Sequence, residues 1–594
     1  MGWKPLPIGV DNFKKIIEEG YFYVDKTLMI RDLLDMKGEV TLFTRPRRFG
    51  KTLNMSMLRY FFEKDPDENI GENQRLFQEL KIMNEGDQYL SHMGKYPVIT
   101  LSLKSMKQPT YTLAFDMLKK ALAEEYLRHW PAVKSSTSLT HTQLDRYLRI
   151  RDIKGSDSDY MDALKFLTEC LYQCQGEKTV ILIDEYDVPL ENAWFSGFYD
   201  EIISVIRSLF ESALKTNDHL AFAVVTGCLR VGEAPSSPGS KGPRQVSEAG
   251  FPTKLEKTSL SGQCHSIFTG LNNLRVVSVT SSSYAEHFGF TQYEVDAMLQ
   301  AYGLSQNQNA VKDWYNGYTF GSAQVYNPWS VINYVDSCRI NKNAIPRPYW
   351  SNTSSNNIVR ALIDQADLSL KQEIEALIEG KSIIKPIHED ITYSDMDSTE
   401  ENLWNFLFFT GYLTKIREHQ EEEIIYMEMT IPNREVRYIY KTAVLRWFEE
   451  KTEKLELTPL YESMLSGDTK KMEEILSENL METISFYDYQ ESYYHGFLAG
   501  MLKNIGNYIV LSNRESGNGR PDIIVKYPSV RGKAIIIETK VSRTYDGLET
   551  KCDEALEQIE TQKYDEALRR EGYRDIVKYG VAFYRKECMV KTGR

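Results

Sequence analysis

The sequence predicts an α/β chain: a parallel sheet covered by helices on both faces, then a mainly helical connector, then a second α/β domain. Three observations carry that expectation. Strand-like runs at Glu39 to Thr44, Pro97 to Leu103, Thr179 to Ile183 and Leu220 to Thr226 alternate with helical stretches, the pattern of parallel strands joined by helical crossovers. The first run opens into Arg45-Pro46-Arg47-Arg48-Phe49-Gly50-Lys51-Thr52, after which a helical pattern begins. Near the C-terminus a further pair of apolar runs, Ile523 to Val525 and Ala534 to Ile537, is bracketed by Asp522 on one side and by Glu538 and Lys540 on the other.

The loop after the first strand follows the pattern G-x-x-x-x-G-K-[ST], in which backbone N–H groups cradle phosphates, the lysine reaches the β- and γ-phosphates and the hydroxyl holds Mg2+. Gly50, Lys51 and Thr52 stand in place, while Arg45 occupies the first glycine position. A bare Gly-Lys-Thr means little. The run from Lys178 to Asp187, however, is a continuous β-branched strand of the kind buried on both faces, and it ends in Asp184 and Glu185. Asp184 suits the orientation of Mg2+ and its waters, and Glu185 the polarisation of an attacking water. The plainer alternative, a buried strand ending in a solvated acidic turn, loses weight beside the loop upstream.

On these residues the chain resembles the AAA-ATPase-like proteins, found mainly in bacteria, whose ATPase region is commonly followed by a PD-(D/E)XK nuclease-like domain. The resemblance extends over Tyr23-Val24-Asp25-Lys26-Thr27, Thr226-Gly227-Cys228-Leu229-Arg230, Ser266 to Asn273, Phe288 to Thr291, Trp314 to Tyr318 and Tyr326 to Ser330. It implies ATP and Mg2+ as ligands, and it makes Arg45 an ordinary feature of the family's loop. Arg230 sits where P-loop ATPases often place a residue that senses the γ-phosphate, with an Arg packed against a surface acid as the equal alternative. Arg47 and Arg48 face a choice between phosphate contacts and an exposed basic lip that meets DNA or a neighbouring subunit.

Bulk properties fit an intracellular multidomain protein. At 594 residues the chain exceeds one core. Seven cysteines at irregular spacing describe no disulfide framework, and Cys170 and Cys174 lack a second pair for zinc, so a reducing, cytoplasmic location is expected. No apolar run approaches membrane-spanning length, and the N-terminus lacks a signal-peptide pattern. The formal net charge of −13 is unevenly spread: residues 501–594 carry 18 Lys/Arg against 14 Asp/Glu. That local balance leaves the last domain able to meet a phosphate backbone with modest affinity.

The expected organisation is residues 1–340 as the P-loop domain, 341–440 as a helical or winged-helix-like connector, and 441–594 as the nuclease-like domain. The segment between Gly232 and Cys264 is rich in Pro, Gly, Ser and Lys, a composition too poor in apolar surface to order itself. The resemblance, whose members run almost directly from this strand into Ser266 to Asn273, implies an insertion of about thirty residues at 233–264 or, equally, a gene-model artefact. Within the connector, Leu403 to Phe409 and Glu423 to Met427 read as short strand-like pieces.

In the last domain Arg520-Pro521-Asp522, a strand, a turn, a second strand and Glu538-Thr539-Lys540 make the pattern PD…ExK. A hairpin so formed places Asp522 and Glu538 side by side to share a divalent metal, with the Thr539 carbonyl completing the shell. Lys540, on the same strand face as Glu538, then positions water or stabilises the transition state. The family resemblance adds Glu491 on an upstream helix as an extra metal-side carboxylate and Gln558 on the following helix as a group approaching water or phosphate. His495 is weighed as a substrate contact or, more simply, a packed residue.

The expected function is ATP binding and hydrolysis coupled to Mg2+-dependent cleavage of nucleic acid, DNA before RNA, in defence or genome maintenance, with self-association left open and no membrane partner. The first alternative is an ATP-gated regulatory switch that binds DNA or a protein without cleaving; the second is a protein-interaction scaffold in which both sites are degenerate remnants.

Overall fold

The computed structural model describes residues 3–64, 71–229, 267–268, 271–350, 359, 368–389, 400–443, 457–482, 491–503, 505–512 and 521–593. Arg230, the segment 233–264 and Arg520 lie outside these. The chain divides into two compact units, residues 1–352 with 384–436 and residues 353–383 with 437–594. Much of the stretch expected as a connector thus falls in the same unit as the first 352 residues.

In the first unit five parallel strands, β1 (Val40–Thr44), β2 (Val98–Ser102), β3 (Thr179–Asp184), β4 (Leu220–Gly227) and β5 (Leu274–Val277), lie in the order β2-β3-β4-β1-β5. Every residue of β1 and β3 is buried, which is why both read as unbroken apolar runs rather than alternating ones. The order places the loop strand β1 and the acid-tipped strand β3 on either side of β4, so their C-terminal ends share one rim. Ligands of open parallel sheets bind at such a rim.

Among the described strands the outer strand β2 pairs only with β3, so its other edge would leave polar backbone groups unmet. The helix Tyr111–Lys134 supplies them with partners: the Glu125 carboxylate accepts the Thr100 N–H at 2.7 Å, and Arg128 and His129 reach the Val98 carbonyl. Arg128 also pairs with Glu63 and Glu125. Burial alone would raise the Glu125 pKa, but the hydrogen bonds from Arg128 and His129 outweigh it and hold the carboxyl at about 2. Breaking a buried pair strands the remaining charge, so Glu125→Ala should cost about 3 kcal/mol. Chemical denaturation at pH 7 measures this; an unchanged midpoint would show the network to be dispensable.

Beyond β5 come a hairpin, β6 (Tyr318–Phe320) and β7 (Ala323–Val325), and a helix, Pro328–Ile340, whose N-cap Asn327 accepts the Ser330 N–H at 3.3 Å. A three-stranded sheet follows, built from β8 (Ile383–Pro386), β9 (Thr414–Glu421) and β10 (Ile424–Thr430) in the order β8-β10-β9, with β9 and β10 antiparallel and the helix Glu400–Phe409 between β8 and β9. Leu403 to Phe409, read as strand-like, is helical. Leu403, Trp404, Phe406, Leu407, Phe408 and Phe409 are all buried, and burial on every side erases the helical period from the sequence.

Glu435 is fully buried in this unit, accepting from Ser330 Oγ at 2.7 Å and from the Trp350 N–H at 2.8 Å. Burial pushes its carboxyl up to about 7. The fold therefore favours the protonated form, a contribution complete below the ordinary value of 4.5 and lost as pH rises through about 7. Glu435→Gln, which stays neutral, should be more stable than wild type at pH 8 by up to about 3 kcal/mol and indistinguishable at pH 4. Equal pH slopes of the melting temperature in the two proteins would refute this.

The second unit centres on a mixed sheet of β11 (Ile509–Ser512), β12 (Ile523–Lys526), β13 (Ala534–Val541), β14 (Ile576–Tyr584) and β15 (Glu587–Gly593), ordered as numbered. Only β13 and β14 are parallel, and the crossover between them consists of the helices Leu548–Thr561 and Tyr564–Glu571. Side chains alternate between two cores. Ile523, Val525, Ile535 and Ile537 face the helices Thr458–Ser466, Thr469–Glu482 and Glu491–Leu502, whereas Ile524, Ala534 and Ile536 face the crossover helices through Ile559, Tyr564 and Leu568. Both faces are covered, so these strands too read as unbroken apolar runs.

Candidate active sites

At the first rim the β1 ladder runs one residue further, the Arg45 N–H donating to Gly227 O at 3.0 Å. The Arg45 side chain is fully buried; Nη1 donates to Thr44 O at 2.9 Å and Val277 O at 2.8 Å, and the guanidinium lies 5.2 Å from the ring centres of Phe288 and Phe320. Burial lowers its pKa to about 9. The residue that replaces the first glycine thus ties together the ends of β1 and β5, a task glycine cannot perform.

Gly50 then takes the left-handed conformation, φ +85°, from which the helix Lys51–Phe62 departs. The first-turn N–H groups of a helix have no partner within the helix and favour anions. Lys51 is buried, its Nζ donating to Arg45 O at 2.7 Å and Pro46 O at 2.9 Å and lying 3.6 Å from Cys228 Sγ. Thr52 is half-buried in the same turn. Arg47 pairs with Glu191 on the helix Val188–Ser196, and Arg48 stacks over Trp329 at 4.2 Å from its ring centre.

Across the rim Asp184 is buried, its carboxylate accepting from the Thr226 hydroxyl on β4. Glu185 holds a left-handed backbone, φ +54°, uncommon for a side-chain-bearing residue and recurrent at functional sites. Burial, and then the neighbouring Asp184, raise its pKa, while the charges of Lys104 and Lys51 act the other way. Gly50, Lys51, Thr52, Asp184 and Glu185 therefore share one rim of the sheet. Thr226, Asp187, Cys228, Glu191 and Trp329 join them without having been singled out for this site in the sequence. The donor set of a hydroxyl, buried carboxylates, a lysine and a helix N-terminus fits a Mg2+-bound nucleotide.

In the second unit the pairing Ile523↔Ile537 continues to set Asp522 opposite Glu538, and the Asp522 N–H donates to Glu538 Oε2 at 3.3 Å. The Asp522 carboxylate accepts the Thr539 N–H at 2.8 Å and the Thr539 hydroxyl. Glu538 is 2% exposed; Lys540 Nζ stands 3.4 Å from its Oε1, and the Gln558 amide donates to the same oxygen. Gln558 also reaches the Tyr564 hydroxyl at 3.3 Å. Burial, then the Asp522 charge, push the Glu538 carboxyl up to about 7 against the pull of Lys540. His495 Nε2 lies 3.0 Å from the Asp522 carbonyl and 2.9 Å from Ser512 Oγ.

Asp522, Glu538, Lys540 and Gln558 thus converge. Glu491 opens the helix Glu491–Leu502, and its side chain lies outside the description. Among the described residues no three His, Cys, Asp or Glu side chains gather as a metal site. The two facing carboxylates are hard oxygen donors suited to Mg2+, and a cation there would relieve the repulsion that raises the Glu538 pKa.

Comparison with known proteins finds a match for each of the two regions that hold these residues. Residues 7–234 match the family described as predicted AAA-ATPase, and residues 489–593 match the PD-(D/E)XK nuclease superfamily. The chain joins an AAA-ATPase-like region to a C-terminal PD-(D/E)XK nuclease superfamily domain. It is similar along almost its whole length to an uncharacterized protein in the vnfD 5' region of Azotobacter chroococcum mcd 1, with 25% identity over 583 residues covering 96% of this chain and 95% of the relative. No solved structure matches. Among the described residues no helix is long and apolar enough to cross a membrane.

Proposed function

We propose that the protein binds and hydrolyses ATP in its first unit and couples this to Mg2+-dependent cleavage of nucleic acid phosphodiesters, DNA in the first instance, in its second unit. The observation that carries the reading is the convergence of Asp522, Glu538, Lys540 and Gln558 at adjacent strand ends and the crossover helix. Asp522 and Glu538, with Glu491 from the upstream helix, would hold Mg2+, which when bound supplies Lewis-acid polarisation of the phosphate and an acidified water. Gln558 orients Glu538, and Lys540 positions the water or meets the charge that develops on the phosphate oxygens. In the first unit Lys51 and Thr52 take the phosphates and Mg2+ of ATP, Asp184 orients the ion, and Glu185 draws the proton of the attacking water. Arg47 and Arg48 would add phosphate contacts, and Arg230 would sense the γ-phosphate. Three domains, 1–340, 341–440 and 441–594, and a cytoplasmic setting complete the reading.

A second reading, an ATP-gated switch that grips DNA without cutting it, draws support from Asp522, whose carboxylate turns onto the Thr539 N–H and hydroxyl. Purified full-length protein on supercoiled, linear and single-stranded DNA, with and without ATP and Mg2+, separates the two. Nicking or digestion that needs Mg2+ and responds to ATP supports the nuclease, and ATP-dependent retention of uncut DNA supports the switch.

A further inference from the structure

Tyr186 and Asp187 follow the two acids of β3 and take no part in the phosphate chemistry above, yet both are buried and both turn onto the exit of β4. The Tyr186 N–H donates to Thr226 O at 3.1 Å and its hydroxyl donates to Leu229 O. Its ring lies so close to Gly227 that a Cβ there would sit 2.4 Å from Cε1, which leaves glycine as the residue that fits. The Asp187 carboxylate, 2% exposed at the residue level, accepts two successive backbone N–H groups through Oδ2, from Cys228 at 2.7 Å and Leu229 at 3.2 Å. On its other side the same turn meets the phosphate loop, through Gly227 O to the Arg45 N–H and through Cys228 Sγ to Lys51 Nζ.

We propose that Asp187 is a positioning residue of the nucleotide site, one that clamps the exit of β4 to the exit of β3 and thereby fixes both Glu185 and the turn that flanks Lys51. This rests on the reading of that rim as the ATP site. Glu185 lies two residues before Asp187 in a left-handed conformation that needs external support. An anchored Asp187 and Tyr186 hold the chain just beyond it. The clamped turn also ends one residue before Arg230. Without the carboxylate, two buried N–H groups lose their acceptor and the turn relaxes. Phosphate affinity comes mainly from the loop N–H groups, Lys51 and the helix N-terminus, none of which bonds Asp187. Turnover depends on Glu185 holding its place to within about 1 Å. Loss of the clamp should therefore reach turnover far more than affinity.

The test uses the full chain and measures ATP turnover, ATP affinity by calorimetry and melting temperature for wild type, Asp187→Ala, Asp187→Asn and Tyr186→Phe. Asp187→Ala should lose about 100-fold in turnover while its ATP Kd stays within about threefold of wild type. Asp187→Asn, whose amide oxygen accepts the same two N–H groups, should recover most of that loss. Wild-type turnover in Asp187→Ala, or an Asp187→Asn as impaired as the alanine variant, overturns the proposal. If Asp187→Ala does not fold, Tyr186→Phe decides: a loss of about tenfold at unchanged affinity supports the clamp, and wild-type turnover overturns it. A wild-type protein that neither binds nor hydrolyses ATP removes the nucleotide reading itself, an outcome distinct from an active wild type indifferent to Asp187.

Discussion

Glu538→Gln is expected to abolish Mg2+-dependent cleavage of nucleic acid, by roughly a thousandfold or more, while leaving the fold intact. The substitution keeps the shape of a residue that is almost fully buried between Lys540, Gln558 and the Asp522 N–H; its amide oxygen can still accept from Lys540 and Gln558, while the charge a divalent cation needs is lost together with the acceptor of the 3.3 Å bond from the Asp522 N–H. Because burial and Asp522 already push the native carboxyl up to about 7, a neutral side chain suits the metal-free fold, and the melting temperature at pH 8 should not fall. Lys540→Ala should slow cleavage by about 100-fold with Mg2+ affinity largely kept, since the ammonium acts on the transition state rather than on the ion. Gln558→Ala, which frees Glu538 from its orienting amide, should instead weaken Mg2+ affinity by about 10- to 100-fold. Steady-state cleavage across a Mg2+ titration separates the three. Full activity in Glu538→Gln, or a wild type that cuts no nucleic acid under any metal and ATP condition, would end the nuclease reading and leave the DNA-gripping switch.

What the sequence disclosed and what it concealed divide along a physical line. Strands β1, β2, β3 and β4 were legible because strands covered on both faces become continuous apolar runs, and the acids Asp184 and Glu538 stood out because a charge ends each run. Strand β5 was not: only four residues long and mostly half-exposed at the sheet edge, Leu274–Val277 carries too little pattern to announce itself. The helix Glu400–Phe409 was mistaken for the same reason that the strands were found, since apolar residues on every side are common to both. At the first rim Lys51, Asp184 and Glu185 were readable from local pattern, whereas the contacts that Thr226 and Cys228 make with Asp184, Asp187 and Lys51 come from the strand order β2-β3-β4-β1-β5, which no local spacing encodes. Arg45 is the clearest case. Its departure from the loop pattern was visible in the sequence, and its reason, two carbonyls at the ends of β1 and β5, becomes visible only once those strands are neighbours.

Lys51→Ala and Glu185→Gln should separate ATP binding from ATP turnover. Lys51 carries the buried ammonium beside the helix N-terminus, and its Nζ rests on the carbonyls of Arg45 and Pro46, at the mouth of the loop where phosphates would lie. Removing it takes away the one lysine of the loop pattern, so calorimetry on Lys51→Ala should show no ATP binding at concentrations that saturate wild type. Glu185→Gln keeps the left-handed backbone, the loop and the lysine, and loses only the group that draws a proton from water. ATP affinity should therefore stay close to wild type while turnover falls by about 10²- to 10⁴-fold. The pH profile gives an independent check. Because burial and Asp184 raise the Glu185 pKa, protonation should disable the wild-type enzyme on the acid side at a higher pH than an ordinary carboxylate would. That acid limb should vanish from the residual activity of Glu185→Gln. If instead Lys51→Ala binds ATP as wild type does, the loop is not the phosphate site; if Glu185→Gln turns over normally, the water-activating group lies elsewhere on the rim.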